Sequence, residues 1–172
     1  MNIFLIGFMG SGKSSIGKKL AGKLEYEFFD VDNVIEKNTG KTISEIFSEE
    51  GEGSFREYEQ QALLQLSNKK NAVIATGGGT PCFHNNMQMI KKTGISVYIK
   101  RSPEYLKKIL KQSKQNRPLV ASKSADELDH YIFDMLIKRE PYYLKADYTI
   151  ENEDTNIESI VSALLKKFST TD

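Results

Sequence analysis

The stretch LIGFMGSGKSS at residues 5–15 contains the spacing G-x-x-x-x-G-K-S, which runs from Gly7 to Ser14. It follows an apolar, strand-like run and precedes a helical pattern, which is the context of a phosphate-binding loop. Glycines allow consecutive backbone N–H groups to curl around anionic oxygens. The N-terminus of the next helix adds unpaired N–H donors and the positive end of its dipole. This stretch therefore predicts a nucleotide-phosphate site built into an α/β domain.

Two side chains of this loop have individual predicted roles. Lys13 is expected to reach the β- and γ-phosphates of ATP, and the hydroxyl of Ser14 is expected to ligate Mg²⁺. A second GKT sequence begins at Gly40, but Ile35 occupies the position where another phosphate-binding loop would need its first glycine. We therefore interpret Gly40 as the C-cap of a helix. The predicted nucleotide-binding residues of the first loop are Gly10, Ser11, Gly12, Lys13, Ser14 and Ser15.

Apolar, strand-like runs alternate with helical periodicity along the whole chain. This alternation is typical of a parallel sheet wrapped by helices, so we expect an α/β, three-layer αβα fold. A chain of 172 residues without a low-complexity linker or an internal repeat is most simply one domain, residues 1–172. The predicted strands are NIFLIG at 2–7, YEFFDV at 26–31, NAVIATG at 71–77, ISVYIK at 95–100 and DYTIE at 147–151.

Local signals place several helix starts. Thr42 with Glu45, and Ser124 with Glu127, have the spacing of a capping box, in which each side chain hydrogen-bonds the backbone of the other residue. Ser102 directly precedes a proline, which is typical of an N-cap followed by the first helical turn. These three positions predict helix boundaries to within a few residues.

Charge and composition argue against several functional classes. The 24 Lys and Arg residues nearly balance the 23 Asp and Glu residues, so we expect neither a nucleic-acid binder nor a membrane-surface protein. No apolar stretch approaches the ~18 residues of a membrane span, and Met1 leads into the first strand without a basic flank or a cleavage site. We therefore expect a cytoplasmic protein with a small-molecule partner. The single Cys82 cannot form an internal disulfide, and His84 and His130 lack the spacing of a zinc site.

A nucleotide site could serve a switch, a motor or a kinase. The guanine-reading signature N-K-x-D is absent, since NKKN at residues 68–71 ends in asparagine, and this argues against a GTPase. The third predicted strand has no aspartate at its C-terminal end, so the usual Walker-B carboxylate for Mg²⁺ is missing there. Another carboxylate must therefore support the metal.

The sequence FFDVD at residues 28–32 supplies two carboxylates at the C-terminal end of the second strand, where open parallel sheets place their ligands. Of Asp30 and Asp32, one can serve Mg²⁺, through water because this ion keeps much of its hydration shell, and the other can accept a proton from an attacking hydroxyl. Helix capping is the alternative role, but Asn33 and Glu36 have the spacing of a capping pair, which would leave Asp32 free.

The order of these motifs resembles the shikimate kinase family. FREYE, TGGG, RPL and KREPYY follow in turn, similar to the family's F-R-x-x-E, glycine-triplet, lid and R-x-x-x-Y motifs, and the resemblance extends from Gly7 to Tyr143. It implies a five-stranded parallel sheet of the nucleoside-monophosphate-kinase type, with strand order 2-3-1-4-5. It also implies a mobile lid at about residues 111–124, a polar and basic segment interrupted by Pro118. The implied activity is transfer of the γ-phosphoryl group of MgATP to the 3-hydroxyl of shikimate, and we expect a monomer.

The resemblance also implies roles for individual residues. Asp32, Arg56 and Arg139 would hold shikimate, a cyclohexene triol with a carboxylate. Asp32 would act as a base or orienting group, which leaves Asp30 as the carboxylate for Mg²⁺. Guanidinium groups bind carboxylates bidentately and stay protonated, which suits the two arginines to this role. Arg117 would cover the phosphates and act in catalysis together with Lys13. The glycines that would border both the substrate and the γ-phosphate are Gly77, Gly78 and Gly79.

Simpler explanations exist for the same side chains. Arg56 could form a surface pair with Glu59, Arg139 could be an exposed helix charge, and Arg117 could be an ordinary loop cation. For the whole chain, the alternatives are a gluconate kinase, a nucleoside monophosphate kinase or a noncatalytic ATP-binding regulator. Retention of Lys13 together with the carboxylates and Arg117 argues against a regulator, because a protein that only binds ATP does not need the residues for transfer.

Two further regions bear on the ligands. Phe47 and Phe55 could pack against the apolar ring of the acceptor. Shikimate kinases usually seat adenine between a basic residue in the helix before the lid and a short loop after the last strand, which often carries an arginine. Here that loop reads ENEDTN at residues 151–156 and is acidic. The candidates for the basic residue are Lys107, Lys108 and Lys111.

Overall fold

The computed structural model describes residues 1–112, 120, 123–151 and 157–169. In this part of the chain a five-stranded parallel sheet has the order β2-β3-β1-β4-β5, as the family resemblance implied. The strands overlap the five predicted runs and are β1 (Asn2–Ile6), β2 (Glu27–Asp30), β3 (Ala72–Ala75), β4 (Gly94–Lys100) and β5 (Tyr148–Glu151). The helices are α1 (Lys13–Leu24), α2 (Val31–Thr39), α3 (Ile43–Glu49), α4 (Gly51–Ser67), α5 (Asn86–Thr93), α6 (Pro103–Gln112), α7 (Ala125–Tyr143) and α8 (Ile157–Ser169), and a 3₁₀ turn covers Thr80–Cys82.

The register of the sheet brings the predicted functional loops together. Ala75 of β3 pairs with Leu5 of β1 on one side and with Asp30 of β2 on the other. The C-terminal ends of these three strands therefore lie side by side, and parallel strands direct the loops that follow them to the same edge. The phosphate-binding loop, the D-x-D carboxylates and the glycine triplet all leave the sheet at this edge.

The central strand β1 explains why the protein has three layers. Every residue of β1 is buried, as expected for a parallel strand that is covered on both faces. Alternate residues enter two different cores because successive side chains of a strand point to opposite faces. The core that contains Phe4 and Ile6 includes Ile35, Leu63 and Ile90 from α2, α4 and α5, and the core that contains Ile3 and Leu5 includes Ile16 and Leu164 from α1 and α8.

A third apolar cluster links helices α6 and α7 to the phosphate-binding loop. Phe8, at the start of that loop, is buried against the side chains of this cluster. The other buried members of the cluster are Leu106, Leu110, Val120, Leu128 and Ile132.

The predicted lid begins within α6, because residues 111 and 112 are still helical. The remaining residues of the lid lie outside the described part of the chain, except at 120, 123 and 124, so Arg117 has no described position.

The capping boxes of α3 and α7 are confirmed, and Gly40 is the C-cap of α2 with a φ of 71°. The predicted start of α2 is wrong. Asp30, rather than Asn33, is its N-cap, and Oδ1 of Asp30 accepts a hydrogen bond from the backbone N–H of Asp32 at 3.1 Å. The reason is that β2 passes into α2 without an intervening loop, so Asp32 lies in the first helical turn. Glu36 instead accepts a hydrogen bond from the backbone N–H of Ile43.

No helix in the described part of the chain is both long and apolar enough to cross a membrane. The thiol of Cys82 is free and partly buried, and His84 and His130 are exposed. Within the same described residues, no group of three or more His, Cys, Asp or Glu side chains is arranged to hold a metal ion.

Candidate active site

A cavity of about 850 Å³ lies at the C-terminal edge of the sheet. Its walls come from the phosphate-binding loop, from α2, α3 and α4, from the glycine triplet and from α7. Of the predicted site residues that the structure describes, all line this cavity except Ser11, which is buried behind the loop. Arg117 is the one predicted site residue outside the described ranges. The structure thus brings together residues from segments that are far apart in the sequence.

The phosphate-binding loop has the conformation that its glycines predict. Gly7 has a φ of 141°, and a Cβ there would lie 2.7 Å from the carbonyl oxygen of Ile99, so only glycine fits. Lys13 begins α1, and its buried ammonium group donates hydrogen bonds to the carbonyl oxygens of Gly7 and Phe8, both at 2.8 Å. These bonds fold the lysine side chain back over the loop, at the position from which it would contact phosphate oxygens.

Ser14 and Asp30 form the predicted metal-binding pair. The hydroxyl of Ser14 donates to Oδ2 of Asp30 at 2.6 Å, while Oδ1 of the same carboxylate caps α2. Both side chains line the cavity. Hydroxyl and carboxylate oxygens suit Mg²⁺, which usually takes one or two protein ligands together with phosphate oxygens and water. The donor set therefore fits the ion that the family resemblance implies.

Asp32 is a partly buried acid whose Oδ1 atom is buried and has no hydrogen-bond partner among the described residues. Burial, together with the carboxylates of Asp30 and Glu59, raises the pKa of Asp32 to about 7, and the ammonium group of Lys13 acts in the opposite direction. A carboxyl group with a pKa near 7 can accept a proton at neutral pH and release it again. Because the residue lines the cavity, the geometry and the pKa both suit a general base.

Arg56 on α4 is buried, and two acidic side chains hold it. Its Nη1 donates to Glu59 at 2.5 Å, and its Nε and Nη2 donate to the same oxygen of Glu52 at 3.1 and 2.8 Å. The pair with Glu59 that simple i,i+3 spacing suggests does exist, but it is not on the surface, because both side chains are almost fully buried. Glu59 also accepts a hydrogen bond from the hydroxyl of Thr80 at 2.6 Å, which connects Arg56 to the glycine-triplet turn.

Arg139 on α7 is also buried, so the alternative of an exposed helix charge is wrong. Its Nη1 has no hydrogen-bond partner among the described residues. A Cβ on Gly78 would lie 3.3 Å from this atom, which places Arg139 directly against the glycine triplet. The hydroxyl of Tyr143 donates to the carbonyl oxygen of Gly78 and so ties α7 to the same turn. An unpaired, buried guanidinium N–H is costly, so the Nη1 atom of Arg139 is suited to pair with an anionic ligand in the cavity.

An aromatic pair forms the apolar side of the cavity. Phe47 and Phe55 both line it, and their ring centroids are 4.6 Å apart. Phe55 immediately precedes Arg56, so the apolar wall and the cationic group come from adjacent residues of α4. An acceptor that has an apolar ring and a negative charge would match this surface.

A family model described as shikimate kinase matches residues 9–169. The chain belongs to the shikimate kinase family. Among the relatives, the shikimate kinase of Bacteroides thetaiotaomicron is 41% identical over 168 residues, which are 95% of this chain and 96% of the relative. Shikimate kinases are ATP-dependent kinases, so the phosphate-binding loop belongs to an enzyme rather than to a noncatalytic regulator.

Solved structures agree with this family assignment. A shikimate kinase from Acinetobacter baumannii in complex with shikimate has a TM-score of 0.93 and 35% identity, and the match covers 99% of this chain and 94% of that one. A deoxyadenosine kinase from M. mycoides has a TM-score of 0.65 at 17% identity, and the match covers 100% of both chains. At that identity the second match concerns the fold alone, which shikimate kinases share with nucleotide kinases.

Several contacts of this site were not predicted. No sequence spacing indicated the hydrogen bond from Thr80 to Glu59 or the one from Tyr143 to Gly78, because these residues are far apart in the chain. The ion pair of Arg56 with Glu52 does have a signal, since the two residues have i,i+4 spacing. Arg101 is buried next to the phosphate-binding loop, and its Nε donates to the carbonyl oxygen of Ser11 at 3.2 Å. Arg101 directly follows the predicted strand at residues 95–100, and this position is the sequence signal that could have identified it.

The candidates for the basic residue beside adenine differ in their surroundings. Lys107 forms an ion pair with Asp129 of α7, whereas Lys108 and Lys111 are exposed. Residues 152–156 of the acidic loop lie outside the described ranges, so the departure from the family's adenine contacts stays a prediction from the sequence.

The pKa of Asp32 gives a direct test of the site. In the protein without ligands, the ¹³C resonance of the Asp32 carboxyl group should titrate near pH 7, because burial and two neighbouring carboxylates disfavour its charged form. An ordinary aspartate titrates near pH ~4. Replacement of Lys13 by alanine should move the midpoint to higher pH, because the ammonium group is the one that lowers this pKa. A midpoint below pH 5 in the unsubstituted protein would contradict the described environment.

Proposed function

We propose that this chain transfers the γ-phosphoryl group of MgATP to the 3-hydroxyl of shikimate and produces shikimate 3-phosphate and ADP. One observation carries the proposal. A single cavity joins the phosphate-binding loop to two buried polar atoms without hydrogen-bond partners among the described residues, Oδ1 of Asp32 and Nη1 of Arg139. An acceptor that has both hydroxyl groups and a carboxylate would pair with both atoms. The shikimate bound to the Acinetobacter baumannii relative supports this choice of acceptor.

The acceptor end of the site would orient shikimate through charge and shape. Arg139 would donate to the carboxylate from α7, and Arg56 would donate from α4 with the N–H groups that Glu52 and Glu59 leave available. Phe47 and Phe55 would contact the ring. Two cations on different helices would restrict the orientation of a planar anion and so would direct the ring hydroxyls toward Asp32.

The phosphate end of the site would hold ATP through the backbone of residues 10–15 and the side chain of Lys13. Ser14 and Asp30 would hold Mg²⁺, which supplies charge neutralisation to the phosphate oxygens when it is bound. The N–H groups of residues 77–79 would border the transferred group. We propose that Arg117 donates to the same phosphates.

The reaction itself needs one proton transfer by a side chain. The 3-hydroxyl oxygen of shikimate forms the new bond to the γ-phosphorus, and the bond from the γ-phosphorus to the oxygen that bridges it to the β-phosphate breaks. The hydroxyl proton passes to the carboxylate of Asp32, whose pKa near 7 suits this transfer at neutral pH. Most of the rate acceleration would come from alignment and charge stabilisation, because phosphoryl transfer needs little covalent participation by the protein.

The proposed reaction is a step toward chorismate and the aromatic amino acids. We propose that the 172-residue chain acts as a single-domain, cytoplasmic monomer. Size-exclusion chromatography with light scattering would measure the mass of the particle, and a mass of twice the 19.5 kDa chain would contradict the monomer.

The test of the function is ADP production from MgATP by the purified protein with shikimate, gluconate, a nucleoside monophosphate or no acceptor. Turnover that depends on shikimate, with shikimate 3-phosphate as the product, is the expected result. Turnover with one of the other acceptors alone would keep the phosphate site and contradict the acceptor assignment. ATP binding without turnover on any acceptor would contradict the proposed enzyme activity.

Replacement of Arg139 by lysine should separate the two ends of the site. Lysine keeps the positive charge but cannot bind a carboxylate bidentately, so we expect the KM for shikimate to rise about 10- to 100-fold. The KM for ATP should stay within about twofold, because Arg139 lies at the acceptor end. Lys138→Ala, which removes an exposed cation from the same helix, is the control and should leave both KM values unchanged. Equal increases in both KM values would contradict the role of Arg139 in acceptor binding.

A further inference from the structure

Phe83 lies directly after the 3₁₀ turn that follows the glycine triplet. The turn is held by a hydrogen bond from the backbone N–H of Cys82 to the carbonyl oxygen of Gly79 at 2.8 Å. The carbonyl oxygen of Phe83 accepts a hydrogen bond from the backbone N–H of Asn86, at the start of α5, at 2.9 Å. The backbone of Phe83 is thus connected on one side to the triplet and on the other to a core helix, so its ring projects from a restrained position.

The ring of Phe83 lies against the guanidinium group of Arg56. The Cζ atom of Arg56 is 4.3 Å from the centroid of the Phe83 ring and 5.2 Å from that of Phe55. Arg56 is buried, whereas Phe83 keeps 38% of its surface exposed. A cation this close to an aromatic ring is attracted by the negative charge of the ring face, and the attraction is stronger when water is excluded.

The remaining contacts of Arg56 show why the ring matters. Glu59 and Glu52 bind N–H groups in the guanidinium plane, but the side chain of Glu52 is 59% exposed, so solvent and salt weaken that ion pair. A Cβ on Gly79 would lie 2.4 Å from Nη1 and 2.8 Å from Cζ of Arg56, so the guanidinium group fills the space that this glycine leaves open. The Phe83 ring adds a contact on the face of the guanidinium plane, and this contact limits rotation of the plane.

We propose that Phe83 is a positioning residue for the acceptor and that it acts through Arg56, an inference that rests on the proposed function. The ring holds the guanidinium plane in place against the glycine triplet and keeps water from it. Arg56 is then oriented before the acceptor carboxylate arrives, which reduces the cost of ordering on binding. Phe83 does not line the cavity and is not expected to contact the acceptor itself.

The test compares Phe83→Leu with Phe83→Tyr. Leucine keeps an apolar side chain but removes the aromatic face, so the KM for shikimate should rise about tenfold, the effect that a desolvated cation–π contact can supply. Tyrosine keeps the face and should restore the KM to within about twofold. The kcat and the KM for ATP should stay close to those of the unsubstituted enzyme. Phe133→Leu, at an exposed phenylalanine on α7, is the matched control and should change none of these values.

A second substrate separates positioning of Arg56 from a general loss of structure. The methyl ester of shikimate keeps the ring and the hydroxyls but lacks the negative charge, so Phe83→Leu should lower kcat/KM for shikimate about tenfold and leave kcat/KM for the ester nearly unchanged. Equal losses on both substrates, or a Phe83→Leu enzyme with the unsubstituted KM, would overturn the role of Phe83 alone. Absence of shikimate turnover in the unsubstituted protein would instead overturn the proposed function, and this inference with it.

Discussion

Lys13→Ala should lower kcat about a thousandfold without unfolding the protein. The ammonium group is the buried positive charge of the phosphate-binding loop, held by the carbonyl oxygens of Gly7 and Phe8. A preorganised cation of this kind stabilises the charge that develops on the transferred phosphoryl group, and loss of one such donor typically costs about 10²–10³ in rate. The same substitution raises the pKa of Asp32 further, because Lys13 is the group that lowers it. The base would then be protonated in a larger fraction of the molecules at pH 7.

The measurement is steady-state turnover of shikimate with saturating MgATP, together with thermal unfolding. Removal of the lysine takes one donor from each of two carbonyl oxygens, but the oxygen of Phe8 still accepts a hydrogen bond from the backbone N–H of Ser11 at 3.2 Å, so we expect a Tm loss of only a few degrees, roughly 2–4 °C. Lys18→Ala removes an exposed lysine from the same helix and should leave kcat unchanged. Retention of more than a tenth of the activity by Lys13→Ala would contradict the role assigned to this lysine.

Asp32→Asn should abolish most of the activity and at the same time stabilise the protein. Asparagine has nearly the shape of aspartate but cannot accept the proton of the 3-hydroxyl, and general bases contribute about 10²–10⁴ in rate. We therefore expect kcat to fall by about that factor. The KM for shikimate should change less, because asparagine can still hydrogen-bond the ring hydroxyls.

The stability gain follows from the raised pKa. With a pKa of about 7 in the folded protein and an ordinary value near ~4 in the unfolded chain, Asp32 binds more protons when the protein is folded. An increase in pH from ~4 to ~7 therefore lowers the free energy of unfolding of the unsubstituted protein. The asparagine variant avoids this loss and should be more stable at pH 8 by on the order of 2 kcal/mol, half of the ~4 kcal/mol that corresponds to a shift of the pKa from ~4 to about 7. That difference corresponds to a Tm increase of roughly 4–8 °C.

Thermal unfolding at pH 4 and at pH 8 measures this effect, because the difference between the two proteins should appear only at the higher pH. Asp134→Asn, at an exposed position on α7, controls for the change in net charge and should have little effect at either pH. A lower Tm for Asp32→Asn at pH 8 would contradict the raised pKa. Full activity of the variant would contradict its role as the base.

Much of the fold could be predicted because its signals are local. The five strands, the capping boxes at Thr42 and Ser124 and the C-cap at Gly40 depend on residues within about four positions of each other. The start of α2 could not be predicted in the same way. Asp30 and Asn33 are both good caps, and the choice between them depends on where β2 ends, which pairing with β3 decides.

The site residues show the same division. Motif spacing located Lys13 and Ser14, and the ordered set of family motifs located Arg56 and Arg139. Spacing could not show whether the two arginines are buried, and the simpler surface roles remained open until their environment was known. The contact between Arg56 and Phe83 had no sequence signal, because the two residues come from different elements and meet only after α4 packs beside the glycine-triplet turn.

The sequence by itself determined the alternation of strands and helices and the phosphate-binding loop, because these depend on short patterns of glycine, charge and hydrophobicity. The ordered family motifs predicted the other site residues. Only the tertiary structure decided the chemical state of the site. The pKa of Asp32, the unpaired Nη1 of Arg139 and the contacts of Arg56 depend on burial and on charges from other segments. Exclusion of water and electrostatic fields act through space rather than along the chain, so they arise only when the sheet edge assembles.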